Sequence, residues 1–233
     1  MGREHGAGSL HERPDGETIP TPMFVLYTAS LSSNGRKVVA LAKHLGLEPR
    51  IIDVNVYGGE GRTPEFLAIN PAGKVPTLVD GDFTLWESNA ILSYISEAYG
   101  GFELSSTDPQ TRADIARWLF WESAHWQPTL AAVLGPHAGH IMVPGLVPQP
   151  KGEPDWNAAA LRPLLAMLEG HLGRRDHLAG GSLSIADFAV AAMTIYFRRL
   201  GFPFDDYPAL SRWYTRVHAL PAWREINVEP WVS

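Results

Sequence analysis

The sequence predicts a small α/β domain followed by a larger all-α domain. Three observations predict it. Over the first hundred residues, short apolar runs of strand type alternate with apolar residues at i, i+3, i+4 and i+7, one face of a helix. Beyond a polar link at 103–109 only helical spacing is found. The chain has 233 residues, which at roughly 150 residues per domain allows one large domain or two small ones.

Residues 1–22 are polar and rich in Gly, Pro, Glu and His, and read as a disordered extension. Met23-Phe24-Val25-Leu26-Tyr27 reads as the first strand of a domain spanning 23–101. A loop leads to a helix with Val38, Leu41, Ala42 and Leu45 on one face, capped by Ser33 or Asn34 and ended by Gly46. Arg50-Ile51-Ile52-Asp53-Val54 is a second strand, and strand–helix–strand implies a parallel pair. A short helix follows at 64–69, then a turn at Asn70-Pro71-Ala72-Gly73. Two apolar runs, 75–79 and 83–86, flank Asp80-Gly81-Asp82, a strong hairpin signal. Ile91, Tyr94, Ile95 and Ala98 mark a third helix, ending at Gly100-Gly101.

The second domain, 102–233, shows helical faces over 111–134, 156–172, 185–200 and 208–219. Pro163 either kinks the second of these or marks its true first turn. The third is apolar almost all round, which marks a buried central helix, and Ser184-x-x-Asp187 opens it as a capping-box variant. The stretch 135–154 holds five prolines and four glycines and reads as a long loop.

Composition narrows the function classes. Hydrophobic residues are 45% and charged residues 19%, enough apolar surface for a packed core. The net charge of −6 argues against a general nucleic-acid binder. No run approaches the roughly 18 apolar residues of a membrane span, and no secretion signal opens the chain. There is no cysteine, which excludes disulfides, thiolate metal sites and a catalytic cysteine, and fits a reducing compartment such as the cytoplasm. His137-x-x-His140 lacks a further ligand pattern, so no metal site is expected.

Five strings in order resemble the cytosolic glutathione S-transferase family: Leu26-Tyr27…Ser32-Ser33-Asn34-Gly35-Arg36-Lys37-Val38; Asn70-Pro71-Ala72-Gly73-Lys74-Val75-Pro76-Thr77-Leu78; Leu85-Trp86-Glu87-Ser88-Asn89-Ala90-Ile91; Leu178-Ala179-Gly180…Leu183-Ser184-Ile185-Ala186-Asp187-Phe188; and Tyr207-Pro208-Ala209-Leu210…Arg212-Trp213-Tyr214…Pro221-Ala222-Trp223. The resemblance runs from 23 to 225 and is similar to the serine- or asparagine-using bacterial nu-class and theta-like members. It implies a thioredoxin-like first domain, an all-helical second one, a homodimer, and glutathione as the bound cofactor.

The resemblance also assigns roles. Pro76 would be cis, leaving the Val75 backbone to pair with the cysteinyl backbone of glutathione. Ser88, where a strand gives way to a helix, would take the γ-glutamyl carboxylate, and Glu87 its ammonium. Lys74 would pair with the glycyl carboxylate. Ser32 matches the catalytic serine of serine-type members, and Asn34 the asparagine of a disulfide-reducing group. A donor at either place favours the thiolate and lowers the thiol pKa from about 8.5. Ser30 is a weaker third. Trp121, His125 and Trp126, on or near the first long helix of the second domain, are expected to wall the site of the second substrate. Three functions are weighed: conjugation to a hydrophobic electrophile, reduction of a small disulfide or peroxide, and non-catalytic glutathione binding. Two departures from the disulfide-reducing group stand out, Ser32 for a threonine and Ser33 for a proline.

Overall fold

A computed structural model describes residues 10–12, 18–20, 24–143 and 145–226. The polar extension lies mostly outside the described residues. Within it Leu10–Glu12 (β1) pairs antiparallel with Thr18–Pro20 (β2).

The first domain follows the predicted element order. Val25–Thr28 (β3) pairs in parallel with Arg50–Asp53 (β4), across Ser33–His44 (α1). Thr77–Asp80 (β5) runs antiparallel to β3, and Phe83–Trp86 (β6) antiparallel to β5, giving the order β4-β3-β5-β6. Asp80 pairs with Phe83 across a two-residue turn, and Gly81 takes a φ of 56° that suits a residue without Cβ. Pro64–Ile69 (α2) leads into β5, and Ser88–Ala98 (α3) follows β6. Phe24, Leu26, Val38, Leu41, Leu78, Ile91 and Ile95 form the buried layer between sheet and helices.

The second domain consists of helices. They are Pro109–Trp121 (α4), Gln127–Met142 (α5), Arg162–Leu172 (α6), Ile185–Thr194 (α7), Pro208–His218 (α8) and Pro221–Ile226 (α9). Every residue of α7 is buried, as its all-round apolar sequence predicts. Asp187 holds its start: Oδ2 accepts the Ser184 amide at 3.0 Å, while Oδ1 accepts the Leu178 amide at 3.1 Å and the Trp213 indole at 2.7 Å. No helix of the described residues is long and apolar enough to cross a membrane.

Three expectations are corrected here. The α1 cap is Ser32, one residue ahead of Ser33 and two ahead of Asn34; its hydroxyl oxygen accepts the Gly35 amide at 3.1 Å. The stretch 135–154 is not all loop, because α5 continues to Met142 through Pro136. Leu130, Leu134 and Ala138 recur every four residues and are buried, so packing of that face outweighs the missing proline N–H. Gly139 then lies against Val147, whose Cγ2 would stand 3.3 Å from a Cβ there, and His140 Nδ1 lies 2.9 Å from the Val147 carbonyl oxygen. Lastly, α7 ends at Thr194 and the chain runs through turns to Leu200. Pro163 falls in the first turn of α6, so it starts that helix rather than kinking it.

Candidate functional site

The site is built where strands end and helices begin. The loop from Thr28 to Ser32 is held from three sides. Its Ser30 amide donates to Asp53 Oδ1 at 3.1 Å, its Ser30 carbonyl accepts the Arg36 Nε at 2.8 Å, and Ser33 Oγ donates to Met193 Sδ of α7 at 3.3 Å. A Cβ on Gly35 would meet Thr28 Oγ1 at 2.0 Å, so only glycine lets the first turn of α1 lie this close to β3. These contacts set where Ser32 and Asn34 stand.

On the facing side, the Val75–Pro76 bond is cis. Asn70 braces that bend: its Nδ2 donates to the Lys74 carbonyl at 2.7 Å and to Thr77 Oγ1 at 2.9 Å. The β3–β5 ladder stops at Thr77, so the backbone at Val75 continues the strand without a partner strand.

Glu87 lies at the corner between β6 and α3 with φ 72° and ψ 110°, a region that costs a non-glycine residue about 1–3 kcal/mol. It is the residue before the helix, but its side chain makes no capping bond. Ser88 is therefore the first helical residue rather than the cap. The opening turn of α3 carries free backbone N–H groups and the positive end of the helix dipole, and Ser88 stands in that turn.

These parts line two adjoining cavities. The larger, of about 720 Å³, includes Asn34, Lys74, Val75, Pro76, Glu87 and Ser88. The smaller, of about 310 Å³, is lined by Ser32, Ser33, Tyr57, Lys74, Val75, Met142 and Tyr196 among others. They share Lys74 and Val75. Of the seven residues expected around glutathione, six thus line the larger cavity and Ser32 lines the smaller. The Asn34 Oδ1 is buried without a hydrogen-bond partner. Ser32 already accepts one bond, which leaves its O–H free in direction to donate.

The expected substrate wall is placed elsewhere. Trp126 is fully buried, and its indole donates to the Val190 carbonyl at 3.0 Å. Trp121 is half-buried, stacks on Trp126 and packs edge-on against Trp118. His125 is exposed, and none of the three lines either cavity. The π-helical turn at Glu122–Trp126 explains the placement of His125 and Trp126, since one extra residue per turn rotates the face that follows Trp121. From the same helix it is Leu119, Phe120, Glu122, Ser123 and Gln127 that line the larger cavity. The smaller cavity takes Tyr57, Met142 and Tyr196 from segments with no shared sequence signal.

No group of His, Asp and Glu among the described residues is arranged to hold a metal ion. The chemistry available is that of hydrogen-bond donors, one helix N-terminus and an apolar recess. That donor set fits a ligand carrying an anionic group such as a carboxylate.

Comparison with known proteins agrees with this geometry. Residues 22–97 match the model of the glutathione S-transferase N-terminal domain, and residues 134–221 that of the C-terminal domain. Glutathione S-transferase F10 of Arabidopsis thaliana is 31% identical over 217 residues, covering 89% of this chain and 97% of that one. Glutathione S-transferase GstB of Escherichia coli K12 is 32% identical over 215 residues, covering 89% and 99%. A crystal structure of a possible glutathione S-transferase from Rhodopseudomonas palustris superposes with a TM-score of 0.74 at 30% identity, covering 89% of this chain and all of that one. With both domains matched in order on a thioredoxin-like sheet and a helical partner, the chain belongs to the glutathione S-transferase family.

Proposed function

We propose that the protein conjugates glutathione to a small hydrophobic electrophile, with Ser32 as the donor to sulfur. The observation that carries this reading is the meeting of the two cavities at Lys74–Val75, with Ser32 in the smaller one beside Tyr57, Met142 and Tyr196. Glutathione supplies the nucleophilic thiolate when bound. The chain's own residues do the rest. The unpaired backbone at Val75 accepts and donates to an extended peptide as an added strand does. Ser88 and the α3 N-terminus receive a carboxylate. Lys74, exposed between the two cavities, offers its ammonium to a second carboxylate. The Ser32 O–H stabilises negative charge on sulfur, which favours the thiolate at neutral pH.

The smaller cavity stands at the lower end of the roughly 300–1,000 Å³ range of ligand sites, which suits a compact electrophile. Exposed Trp86 and Phe120 border the larger cavity and offer apolar surface for the homodimer that the family resemblance implies.

A second reading is supported by Asn34. Its side-chain amide carries N–H donors of the kind a thiolate needs, and the residue lines the roomier cavity. That favours a disulfide-reducing enzyme in which Asn34 faces sulfur. Parallel assays separate the two: turnover of an aryl halide that is lost in Ser32→Ala supports conjugation. Turnover of a hydroxyalkyl disulfide alone, lost in Asn34→Ala, supports reduction. Failure of glutathione to bind at millimolar concentration in calorimetry would leave neither standing.

A further inference from the structure

One buried charge network lies under the site and has no role in the reading above. Lys37 and Glu122 are both fully buried, with Nζ 3.3 Å from Oε2. Lys37 Nζ also donates to Asn89 Oδ1 at 2.8 Å. The Asn89 amide nitrogen donates onward to Glu122 Oε2 at 2.9 Å and to the Leu119 carbonyl at 2.8 Å. One side-chain amide thus gathers an ammonium, a carboxylate and the last turn of α4.

The network joins the elements that form the site. Lys37 is three residues beyond Asn34 on α1. Asn89 directly follows Ser88 on α3. Glu122 opens the π-helical turn after α4. Burial draws the Lys37 ammonium below its ordinary range, and the charges of Glu122 and Glu87 oppose that pull. Glu87 is therefore close enough to feel the lysine.

Stability alone is a weak reason for such a pair. Replacing a buried ion pair by apolar residues of similar volume is often neutral or stabilising. The corner at Glu87 supplies another reason. Its unfavourable φ persists only if its surroundings hold it. Two residues on, Asn89 is pinned by three hydrogen bonds. Both Asn89 and Glu122 line the larger cavity, and Glu122 Oε1 is buried without a partner, so Asn89 and Lys37 alone orient the carboxylate.

We propose that Lys37, Glu122 and Asn89 are positioning residues that hold the Glu87–Ser88 corner and set a buried positive charge behind the carboxylate site at the start of α3. This rests on the glutathione reading above. Glu122 holds Lys37 Nζ in place at 3.3 Å and its charge opposes the desolvation of the ammonium, which adds to the helix dipole at the position where a carboxylate docks. Through α1 the same network ties the sulfur end of the site to its carboxylate end.

The test compares the full-length wild type with Lys37→Met/Glu122→Leu and with Asn89→Ala. Glutathione affinity is measured by calorimetry, KM and kcat by aryl-halide conjugation, and stability by thermal unfolding. The double variant is expected to melt near or above the wild type. Its glutathione affinity should fall about tenfold or more, with KM for glutathione rising alike. Changes in kcat at saturating glutathione and in KM for the electrophile should stay within about threefold. Asn89→Ala should show the same glutathione-specific loss, and it decides the matter if the double variant does not fold. Wild-type glutathione affinity in a folded variant overturns the proposal, as does an equal fall in all kinetic parameters. If the wild type itself binds no glutathione, the glutathione reading falls and this proposal with it. If the wild type binds and the variants bind equally, only this proposal falls.

Discussion

The Ser32 hydroxyl oxygen accepts the Gly35 amide at 3.1 Å, so the residue that caps α1 is also the residue that lines the smaller cavity. Capping uses an acceptor position of the hydroxyl and leaves its proton to donate. The bond also fixes the side chain's direction before any ligand arrives, so little ordering cost falls on the reaction.

Ser32→Ala therefore removes two things at once. Loss of the cap is expected to lower stability by about 1 kcal/mol. Loss of a donor to an anionic sulfur corresponds to roughly 1.5–3 kcal/mol, or about 10- to 150-fold in activity at neutral pH. The loss should shrink at high pH, where the thiol ionises without help. Rate–pH profiles and the ultraviolet absorbance of bound thiolate measure this. An unchanged profile would assign sulfur to Asn34 instead.

Gly35→Ala is expected to be destabilising although glycine is a poor helix former. The new methyl would meet Thr28 Oγ1 at 2.0 Å, and the first turn of α1 must back away from β3. The cost is about 1–3 kcal/mol, read from urea unfolding, with a fall in activity because Ser32 and Asn34 move with the turn. Adding Thr28→Ala should recover part of the stability.

Trp126 and His125 separate core from cleft. Trp126→Ala should cost about 3–5 kcal/mol, because a fully buried indole with a hydrogen bond to Val190 is lost. His125→Ala, exposed and outside both cavities, should leave KM for both substrates within about twofold. A large KM change in His125→Ala would return that residue to the substrate wall.

His218 gives the fold an acid limit. Burial, with a smaller contribution from the Arg198 charge, holds its pKa down at about 3, against 6.5 ordinarily. Its Nε2 lies 2.8 Å from Thr194 Oγ1, and its ring packs on Tyr214 and Trp223. The folded pKa is depressed, so between 6.5 and about 3 the unfolded chain binds a proton that the folded chain does not. The stabilisation is fully present above 6.5 and is lost as pH falls, by about 1.4 kcal/mol per unit from this group. Chemical unfolding across that range should show the slope, and His218→Gln should flatten it.

Much of the molecule was legible in the linear sequence. Strand–helix–strand order, the Gly81 hairpin, the all-buried α7 and its Ser184–Asp187 start depend on neighbours a few residues apart, where period and turn chemistry speak directly. The candidate glutathione side was legible as a resemblance carried by short motifs, whose residues the fold places around one cavity. Val75–Pro76 and Glu87–Ser88 are adjacent pairs at element ends, and adjacency preserves their motif.

What only the tertiary structure decided is set by distance and rotation. The π-helical turn after Trp121 puts Trp126 in the core and leaves His125 exposed outside both cavities, because one inserted residue turns the following face away. The continuation of α5 through Pro136 was decided by the burial of Leu134 and Ala138, a packing gain that local propensity does not contain. The smaller cavity brings Ser32, Tyr57, Met142 and Tyr196 together across both domains. Lys37 and Glu122, 85 residues apart, meet with no solvent between them. A lysine in a helix and a glutamate in another read as solvated charges until folding removes the water. The sequence alone determined the two domains, their element order and the motifs that carry the family resemblance. Tertiary packing decided which side chains leave solvent, and with that the second cavity and the buried ion pair under the first.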